Sequence, residues 1–505
     1  MNYSKNRTFP YLVLISILSF SPFVLAGDFD ALTQKVKKIE LENGLRIIVI
    51  PNDLAPVFSA QVWVGVGGAD ELPGASGAAH LLEHMAFKGT EKIGLSKSGD
   101  SDRTSEKKLI AEYDSLYESE REMQTESGQK RLVELSKKLE EMWDLGAFTT
   151  LYQERGASGL NAGTSKDYTV YTISLPTSEL EFWFYMESER LLRPVFRQFY
   201  KELDVVLEER RMRTDDNPSG KLYEALLGTA YRDHPYTVPT IGWKSDLNAL
   251  KKEDAYYLHG TYYRPDNIVI TIAGDIDIKN AERFSKKYFG RISNPKTTIP
   301  KRRVFPEDQN GERRVSVMFD AEPEFMVAYH IPTTPSIESL HFTLLGAMLD
   351  GGRSSPFQKV LIKNEEIVSS ISVSEAPGHR YDPVFLISAT PRQGISTEKA
   401  LDRIQTLLDS IQGDLLNESM LVAAKKQIKM SILKSLQSNS GIARYLGIYE
   451  LLFGGWDNLF KELERIDTVQ LSEVKLSASR FLRVSNRTLA DIVPKSDSGQ
   501  NRINK

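Results

Sequence analysis

The sequence predicts an α+β protein made of two similar halves, and three observations support this prediction. Alternating apolar residues lead to Asn43-Gly44, a strong hairpin turn, and residues 45–50 return as a strand. Segments with helical spacing, such as 279–289, follow apolar strands. Finally, Tyr-Tyr-Arg-Pro-Asp-Asn at 262–267 and Phe-Leu-Arg-Val-Ser-Asn at 481–486 each precede an apolar strand, which indicates an internal duplication.

Composition and charge exclude several classes of protein. The chain has 505 residues, a length typical of two to four domains, and 41% of them are hydrophobic, so ordinary globular cores are expected. Its net charge of -4 argues against a nucleic-acid binder, which normally has a strong basic excess. The absence of cysteine excludes disulfides, a thiolate nucleophile and a lipid-modified N-terminal cysteine.

The N-terminus is typical of a secretory signal. Lys5 and Arg7 precede an apolar stretch over 11–25, and small residues end at a cleavage position after Ala26. An uncleaved membrane anchor is the alternative. It is disfavoured because the apolar run is short and four residues interrupt it: Ser16, Ser19, Ser21 and Pro22. Because no later stretch is long and apolar enough to span a bilayer, we predict a protein exported across the inner membrane, most simply to a bacterial periplasm.

Four segments follow from these patterns. Residues 1–26 are the signal peptide, and 27–290 form the first half, which carries a charged helical insertion near 102–143. A linker rich in proline and lysine is predicted at 291–310, before a second half at 311–505. The insertion is interpreted first as a solvated pair of helices, with a role in gating or partner contact as the alternative.

A metal-binding motif stands at His80-Leu81-Leu82-Glu83-His84. On a helix, residues four apart project from one face, so both imidazoles can reach one zinc ion. Glu83 falls on the same side and can activate a water that the metal polarises. This is the H-x-x-E-H order of inverzincin peptidases. The alternative, a chance match on an ordinary amphipathic helix, is disfavoured because the chain has only seven histidines.

A catalytic zinc usually has three protein ligands and an open position, so a third ligand is needed. The helical segment 200–213 offers Glu202, Glu208 and Glu209. Residues seven apart lie nearly on one face, which aligns Glu202 with Glu209 and turns Glu208 away by about 100°. Spacing alone does not choose among them, and a solvated acidic face is the plain alternative.

At this point the sequence resembles the pitrilysin/insulinase family, which includes the mitochondrial processing peptidase. The resemblance is carried by collinear motifs: 77–90 around His80, 159–169 around Asn161, 202–209, and His234-Pro235-Tyr236. It covers nearly the whole mature chain. It implies two mixed α/β-sheet halves that face each other across a cavity, the first binding one zinc ion per chain and the second helping to enclose a peptide.

The resemblance also implies roles for single residues. Glu209 would be the third zinc ligand beside His80 and His84, Glu202 a carboxylate that orients the site without binding the metal, and Glu83 the general base. Asn161 and Ala162 would belong to an edge strand that pairs with the substrate backbone, as β-augmentation requires. The expected activity is that of a zinc metalloendopeptidase acting on peptides or small unfolded polypeptides.

One departure from the family pattern concerns the second half. Active members often carry an Arg after a Gly-rich turn and a Tyr some residues later. Here Pro356 stands at the expected Arg position, and the Tyr position falls near Ser369 or Ser370. Arg353 is a weak substitute, and the stabilisation of an oxyanion is left unassigned. The alternative function is therefore a subunit that needs a partner, in a homodimer or in a heterodimer with a related chain that supplies the Arg/Tyr pair.

Overall fold

The computed structural model describes residues 32–97, 99–300, 304 and 308–494. The predicted signal peptide lies outside these residues. Of the described residues, 32–36, which begin with a short helical turn at 32–35, belong to one unit, and those from Lys37 onwards belong to a second. In the described part of the chain, no helix is both long and apolar enough to cross a membrane.

The strands belong to two sheets. Those of the first sheet are β1 Lys37–Glu40, β2 Arg46–Pro51, β3 Val57–Val64, β4 Ser158–Thr164, β5 Thr169–Pro176 and β6 Ile268–Gly274. Those of the second sheet are β7 Arg313–Phe319, β8 Phe325–His330, β9 Val368–Ala376, β10 Val384–Pro391 and β11 Arg487–Pro494.

The helices connect and cover these sheets. Those before residue 300 are α1 Ala78–Met85, α2 Asp100–Met123, α3 Glu126–Met142, α4 Ala147–Gln153, α5 Leu180–Leu192, α6 Phe199–Arg210, α7 Pro218–Ala230, α8 Lys244–Ala249, α9 Lys252–Tyr262 and α10 Ile278–Phe284. Those after it are α11 Ile337–Asp350, α12 Thr397–Asp409, α13 Glu418–Ser435, α14 Asn439–Leu452, α15 Asn458–Thr468 and α16 Leu471–Phe481. Wide π-helical turns at Arg211–Asp215 and Phe357–Asn364 complete the connections that matter below.

The two sheets share one strand topology. The first sheet has the order β1-β2-β6-β3-β5-β4, and the second has β7-β11-β8-β10-β9. Five strands correspond between the sheets: β2-β6-β3-β5-β4 in the first and β7-β11-β8-β10-β9 in the second. In each set of five, the last strand in sequence pairs in parallel with the first (β6 with β2, β11 with β7), and the remaining pairs are antiparallel. The first sheet adds only β1, the outer strand of the predicted hairpin. The predicted α+β fold with two similar halves is therefore confirmed.

The repeated sequence before β6 and β11 makes the same hydrogen bonds in both halves. The Asn267 side-chain amide donates to the carbonyl oxygens of Tyr262 and Gly65, at 3.0 and 3.2 Å. The Asn486 amide donates to those of Phe481 and His330, at 2.8 and 2.9 Å. Each amide thus ties the end of a helix to the strand beside it.

One helix from each half also packs on the sheet of the other half. Helix α7, from the first half, packs on β7, β8 and β11, while α14, from the second half, packs on β2, β3 and β6. A buried cluster accordingly joins Leu222 and Leu226 of α7 to Ala328 of β8 and Ala490 of β11. The halves are similar in topology, but neither completes its core alone.

A loop of the second half is hydrogen-bonded to the first half. After cis-Pro377, the backbone N–H groups of His379 and Arg380 donate to Asp167 Oδ2, at 2.6 and 3.2 Å. The Arg380 guanidinium binds Asp70 Oδ1 at 2.5 Å and the carbonyl oxygen of Asp167 at 2.6 Å. Asp167 is fully buried and follows β4, so this contact fixes the chain beside the site described next.

Candidate metal centre

Helix α1 places the predicted motif against the first core. Leu81, Leu82 and Met85 are buried, which leaves His80 and His84 on the opposite, partly exposed face. The helix begins after Gly77, whose φ of +88° favours glycine. Its first N–H groups are not capped locally.

The cap comes from an acidic residue earlier in the chain. Buried Glu71 accepts hydrogen bonds from the backbone N–H groups of Gly77 and Ala79, at 3.0 and 2.8 Å. These bonds satisfy donors that the first turn of a helix leaves unpaired. Glu71 therefore fixes the N-terminal end of α1, next to His80.

Glu209 joins the two histidines in one cluster. Its Oε2 lies 3.8 Å from His80 Nε2 and 3.6 Å from His84 Nε2. The imidazole rings lie edge to face with centroids 4.8 Å apart. In the described residues, these three form the one group of histidine and acidic side chains whose ligand atoms all lie within 4.8 Å of one another.

A second carboxylate orients His84. Glu202 Oε1 lies 3.0 Å from His84 Nδ1, and its Oε2 lies 2.5 Å from Lys88 Nζ. A carboxylate only accepts, so Nδ1 donates, and the lone pair of the ring is left on Nε2, which faces the cluster. Glu208 instead is exposed and binds Arg211 at 2.6 Å. The structure thus separates the three acidic candidates of α6.

Glu83 points to the edge of the first sheet. Its Oε2 accepts a hydrogen bond of 2.6 Å from Thr164 Oγ1, at the end of β4. Glu83 is 8% exposed, so its carboxylate is held in a nearly dry position beside the histidines. Sequence reasoning assigned no role to Thr164, although it lies in one of the motifs that carry the resemblance.

Asn161 and Ala162 lie on the strand that ends at Thr164. β4 is the outer strand of its sheet and, among the described residues, pairs with β5 alone, where Asn161 is opposite Thr172 and Ala162 opposite Tyr171. Asn161 is exposed and Ala162 is partly exposed. The free edge of β4 therefore runs up to the residue that binds Glu83.

Burial and neighbouring charges set the protonation of the cluster. Burial, with a smaller contribution from His84, lowers the pKa of His80 to about 3, so His80 is neutral and its lone pair is available. Burial alone would lower the pKa of His84, but the hydrogen bond and charge of Glu202 raise it overall. Burial raises the pKa of Glu83 despite the hydrogen bond from Thr164. A buried carboxylate with a raised pKa is a stronger base than an exposed one.

The donor set fits a catalytic zinc site. Two imidazole nitrogens and one carboxylate oxygen are the ligands of known His₂Glu zinc centres. Ligand atoms about 2.0–2.2 Å from one tetrahedral ion lie roughly 3.3–3.6 Å apart, close to the distances between Glu209 Oε2 and the two Nε2 atoms. The carboxylate on His84 Nδ1 supplies the usual outer hydrogen bond. The residues present therefore suit zinc.

The second half offers no cation at the positions where the family resemblance implies Arg and Tyr. Pro356 is buried just before the π-helical turn, and Arg353 is exposed in the preceding loop. Ser369 and Ser370 are exposed on β9, the outer strand of the second sheet, and both hydroxyls bond to Thr390. The departure noted in the sequence has no compensation at these positions.

Sequence reasoning missed Glu71, Thr164, Lys88 and Arg213, whose guanidinium lies 3.0 Å from Glu209 Oε1. Arg213 left a faint signal, since it stands four residues after Glu209 in the continuous helical segment, whereas Lys88 lies in the bend after α1 and left none. Glu71 left none, because it caps a helix from outside the usual capping position.

Comparison with known protein families gives two matches. Residues 46–98, which contain the motif of α1, match the model described as "Insulinase (Peptidase family M16)". Residues 249–428 match the model described as "Peptidase M16 inactive domain". The first match covers the motif at His80, Glu83 and His84, and the second covers most of the half in which the Arg/Tyr pair is missing.

Similar proteins agree with these matches. A protein named zinc protease PqqE from Helicobacter pylori is 26% identical over 463 residues, covering 90% of this chain and 91% of that relative. The crystal structure of a protease from Helicobacter pylori superimposes with a TM-score of 0.77 at 24% identity, over 91% of this chain and 100% of the other. The periplasmic protease PqqL from Escherichia coli has a TM-score of 0.67 at 16% identity, over 91% of this chain and 48% of that one.

Proposed function

Since the chain belongs to the insulinase family of M16 peptidases, we propose that it is a zinc-dependent endopeptidase that hydrolyses peptides or small unfolded polypeptides. The observation that carries the proposal is the convergence of His80 Nε2, His84 Nε2 and Glu209 Oε2 next to Glu83. The zinc proteases among its relatives make zinc the natural metal for this set.

His80, His84 and Glu209 would hold one zinc ion, which when bound supplies Lewis acidity to a water and to the scissile carbonyl. Glu202 keeps the proton of His84 on Nδ1, so that Nε2 stays a ligand. Lys88 neutralises the outer oxygen of Glu202 and holds that carboxylate in place.

Glu83 would act as general base and then as general acid. Its carboxylate takes a proton from the attacking water at an Oε atom and later gives it to the leaving amine. Thr164 Oγ1 holds Oε2, which leaves Oε1 as the oxygen that receives the proton. The low exposure of Glu83 keeps bulk water from competing for it.

The free edge of β4 would bind the peptide in an extended conformation. Backbone groups at Asn161 and Ala162 would pair with the substrate main chain, which suits many sequences because side chains are not read. Since Thr164 on this strand binds Glu83, one strand would position both the peptide and the base.

A second candidate is a subunit that hydrolyses peptides only with a related partner chain. Pro356, Ser369 and Ser370, at the positions implied for Arg and Tyr, favour it, as does the match of the second half to a domain described as inactive. The partner would supply the cation and hydroxyl that stabilise the oxyanion.

We also propose export to a bacterial periplasm. The N-terminal pattern ending at Ala26 and the likeness to a periplasmic protease support it. Fractionation of cells and N-terminal sequencing should find a periplasmic protein that begins at Gly27; an intact Met1 in the cytoplasmic fraction would contradict export.

The decisive experiment compares Glu83→Gln with the parent chain on an internally quenched peptide, with and without a chelator. The variant should keep about one zinc and lose hydrolysis by roughly 10²–10⁴-fold. Glu208→Gln is the matched control, because Glu208 is exposed on α6 and, in the part of the chain that the structure describes, bonds to Arg211 and not to the cluster. Equal rates for Glu83→Gln and parent would refute the mechanism. A parent chain that cleaves only after a related chain is added would establish the second candidate.

A further inference from the structure

Arg213 places an exposed cation beside the candidate metal centre. Its guanidinium lies 3.0 Å from Glu209 Oε1, whereas the other oxygen of that carboxylate, Oε2, is the one nearest the two imidazoles. The Arg213 side chain is 73% exposed, against 15% for Glu209. The Arg213 guanidinium is therefore accessible to solvent at the edge of the cluster.

The backbone that carries Arg213 is firmly held. Arg213 lies in the π-helical turn Arg211–Asp215, which continues α6 without a break, and such turns are frequent at functional sites. On one side, buried Arg210 bonds to the carbonyl oxygen of Gly242 at 2.6 Å and to Asp215 at 3.3 Å. On the other, Gly220 packs so closely that a Cβ there would collide with the Arg213 carbonyl oxygen. A fixed backbone positions the guanidinium reproducibly.

The neighbouring Arg211, in the same turn, has a guanidinium whose N–H donors are used by carboxylates of the protein itself. Arg211 binds both carboxylate oxygens of Glu208, at 2.6 and 2.8 Å, and also contacts Asp216. Within the described residues, the ion pair of Arg213 to Glu209 has no such second partner. A guanidinium carries five N–H donors, so most of those of Arg213 remain open to an incoming anion.

Arg213 also lies near the reacting groups by contact. Its guanidinium binds Glu209 Oε1, and Glu209 Oε2 lies 3.8 and 3.6 Å from the Nε2 atoms of His80 and His84. A cation on this carboxylate lies close to the position at which a bound peptide would be cut.

We propose that Arg213 binds a carboxylate of the peptide substrate near the scissile bond, so that peptides with an acidic group there are preferred. This inference rests on the proposed peptidase function and narrows its substrate class. A planar guanidinium binds a carboxylate through two parallel hydrogen bonds, which gives direction as well as charge. The carboxylate comes either from an Asp or Glu side chain or from the C-terminus of a short peptide.

The test uses peptide pairs that differ only by Asp against Asn at single positions on both sides of the cleavage point. Each pair is also made with an amidated C-terminus. The parent should prefer one acidic peptide by roughly tenfold in kcat/KM, as expected for one charge-assisted hydrogen bond. Arg213→Gln should abolish the preference, and Arg213→Glu should reverse it toward a Lys peptide. Arg211→Gln is the matched control and should keep it. A preference that amidation removes identifies the terminal carboxylate as the source.

Binding of the same pairs to the Glu83→Gln chain gives a readout that needs no turnover. In this binding measurement the preference for the acidic peptide should again depend on Arg213, even if the parent cleaves nothing. Failure of this inference can therefore be told apart from failure of the peptidase proposal. An unchanged preference in Arg213→Gln would overturn the inference. So would an equal loss for all peptides together with lower zinc content, which would show that Arg213 only positions Glu209.

Discussion

The two sheets of this protein share five strands in the same order and direction, but the helices that follow their central strands differ. After β3, α1 presents His80, Glu83 and His84 toward a carboxylate of α6. After β8, α11 carries one histidine, His341, whose Nδ1 lies 2.7 Å from Ser477 Oγ, and it buries Leu344 and Leu345. One scaffold thus supports a polar cluster in one half and an apolar helix in the other.

This difference teaches what the candidate metal centre requires beyond the scaffold. The shared strands and the Asn267 and Asn486 hydrogen bonds hold both halves, whereas the cluster depends on a few side chains of α1 and α6 and on the cap supplied by Glu71. The second half serves the first by contact, through α14 on the first sheet and Arg380 on Asp70.

The largest expected effect is the loss of zinc from the first half, the feature that would distinguish it from the second. His80→Ala or His84→Ala leaves two of the three ligands, so either variant should lose its stoichiometric zinc on dialysis, as atomic absorption would show. His341→Ala, which removes the histidine of α11, should keep about one zinc. Full zinc in both ligand variants, or loss in His341→Ala, would mean that the metal is elsewhere.

The next effect concerns the contact between halves. Arg380→Ala leaves Asp70 without its cation and the Asp167 carbonyl oxygen without its donor, so the free energy of unfolding should fall by about 3 kcal/mol in a urea titration. Arg392→Ala, an exposed arginine in the loop after β10, should change it by less than about 0.5 kcal/mol. If the two variants are equally stable, the loop at 376–381 does not hold the halves together.

A third prediction compares the pH dependence of two histidines with lowered pKa, partly buried His259 of α9 in the first half and buried His341 of α11. Burial lowers the pKa of His259 from 6.5 to about 4 and also lowers that of His341. A depressed folded pKa stabilises the protein above pH 6.5, and this stability is lost as the pH falls toward 4. The contribution of His259 is about 3 kcal/mol.

The measurement is a series of urea titrations between pH 6.5 and 4. The parent should lose stability on acidification more steeply than His259→Gln, which has no group to titrate, and His341→Gln should fall between the two. Parallel curves for the parent and His259→Gln would show that this histidine is not held neutral in the fold.

The smallest effect separates the two inward-facing carboxylates of α6. Glu202→Gln should weaken zinc binding by about 10–100-fold, because it removes the acceptor on His84 Nδ1 but no ligand. Glu209→Gln should cost more, and Glu208→Gln should change nothing. Competition with a zinc-responsive dye would rank the three, and a stronger loss for Glu202→Gln than for Glu209→Gln would exchange their roles.

The amino-acid sequence by itself determined the local features. The spacing of His80, Glu83 and His84 placed them on one helical face, Asn43-Gly44 placed the hairpin of β1 and β2, and the repeat at 262–267 and 481–486 indicated the duplication. Each of these depends on residues close in the chain, where helical and strand periods fix geometry directly.

Only the tertiary structure decided which distant groups meet. The seven-residue spacing placed Glu202 and Glu209 on one helical face. In the fold, Glu202 lies beside His84 Nδ1, whereas Glu209 lies near the Nε2 atoms of both histidines. The exchange of α7 and α14, the cap by Glu71 and the contact of Arg380 with Asp70 left no pattern in the sequence. The physical reason is that periodicity records which face of an element is apolar or charged, whereas the partner of that face is chosen by packing across hundreds of residues.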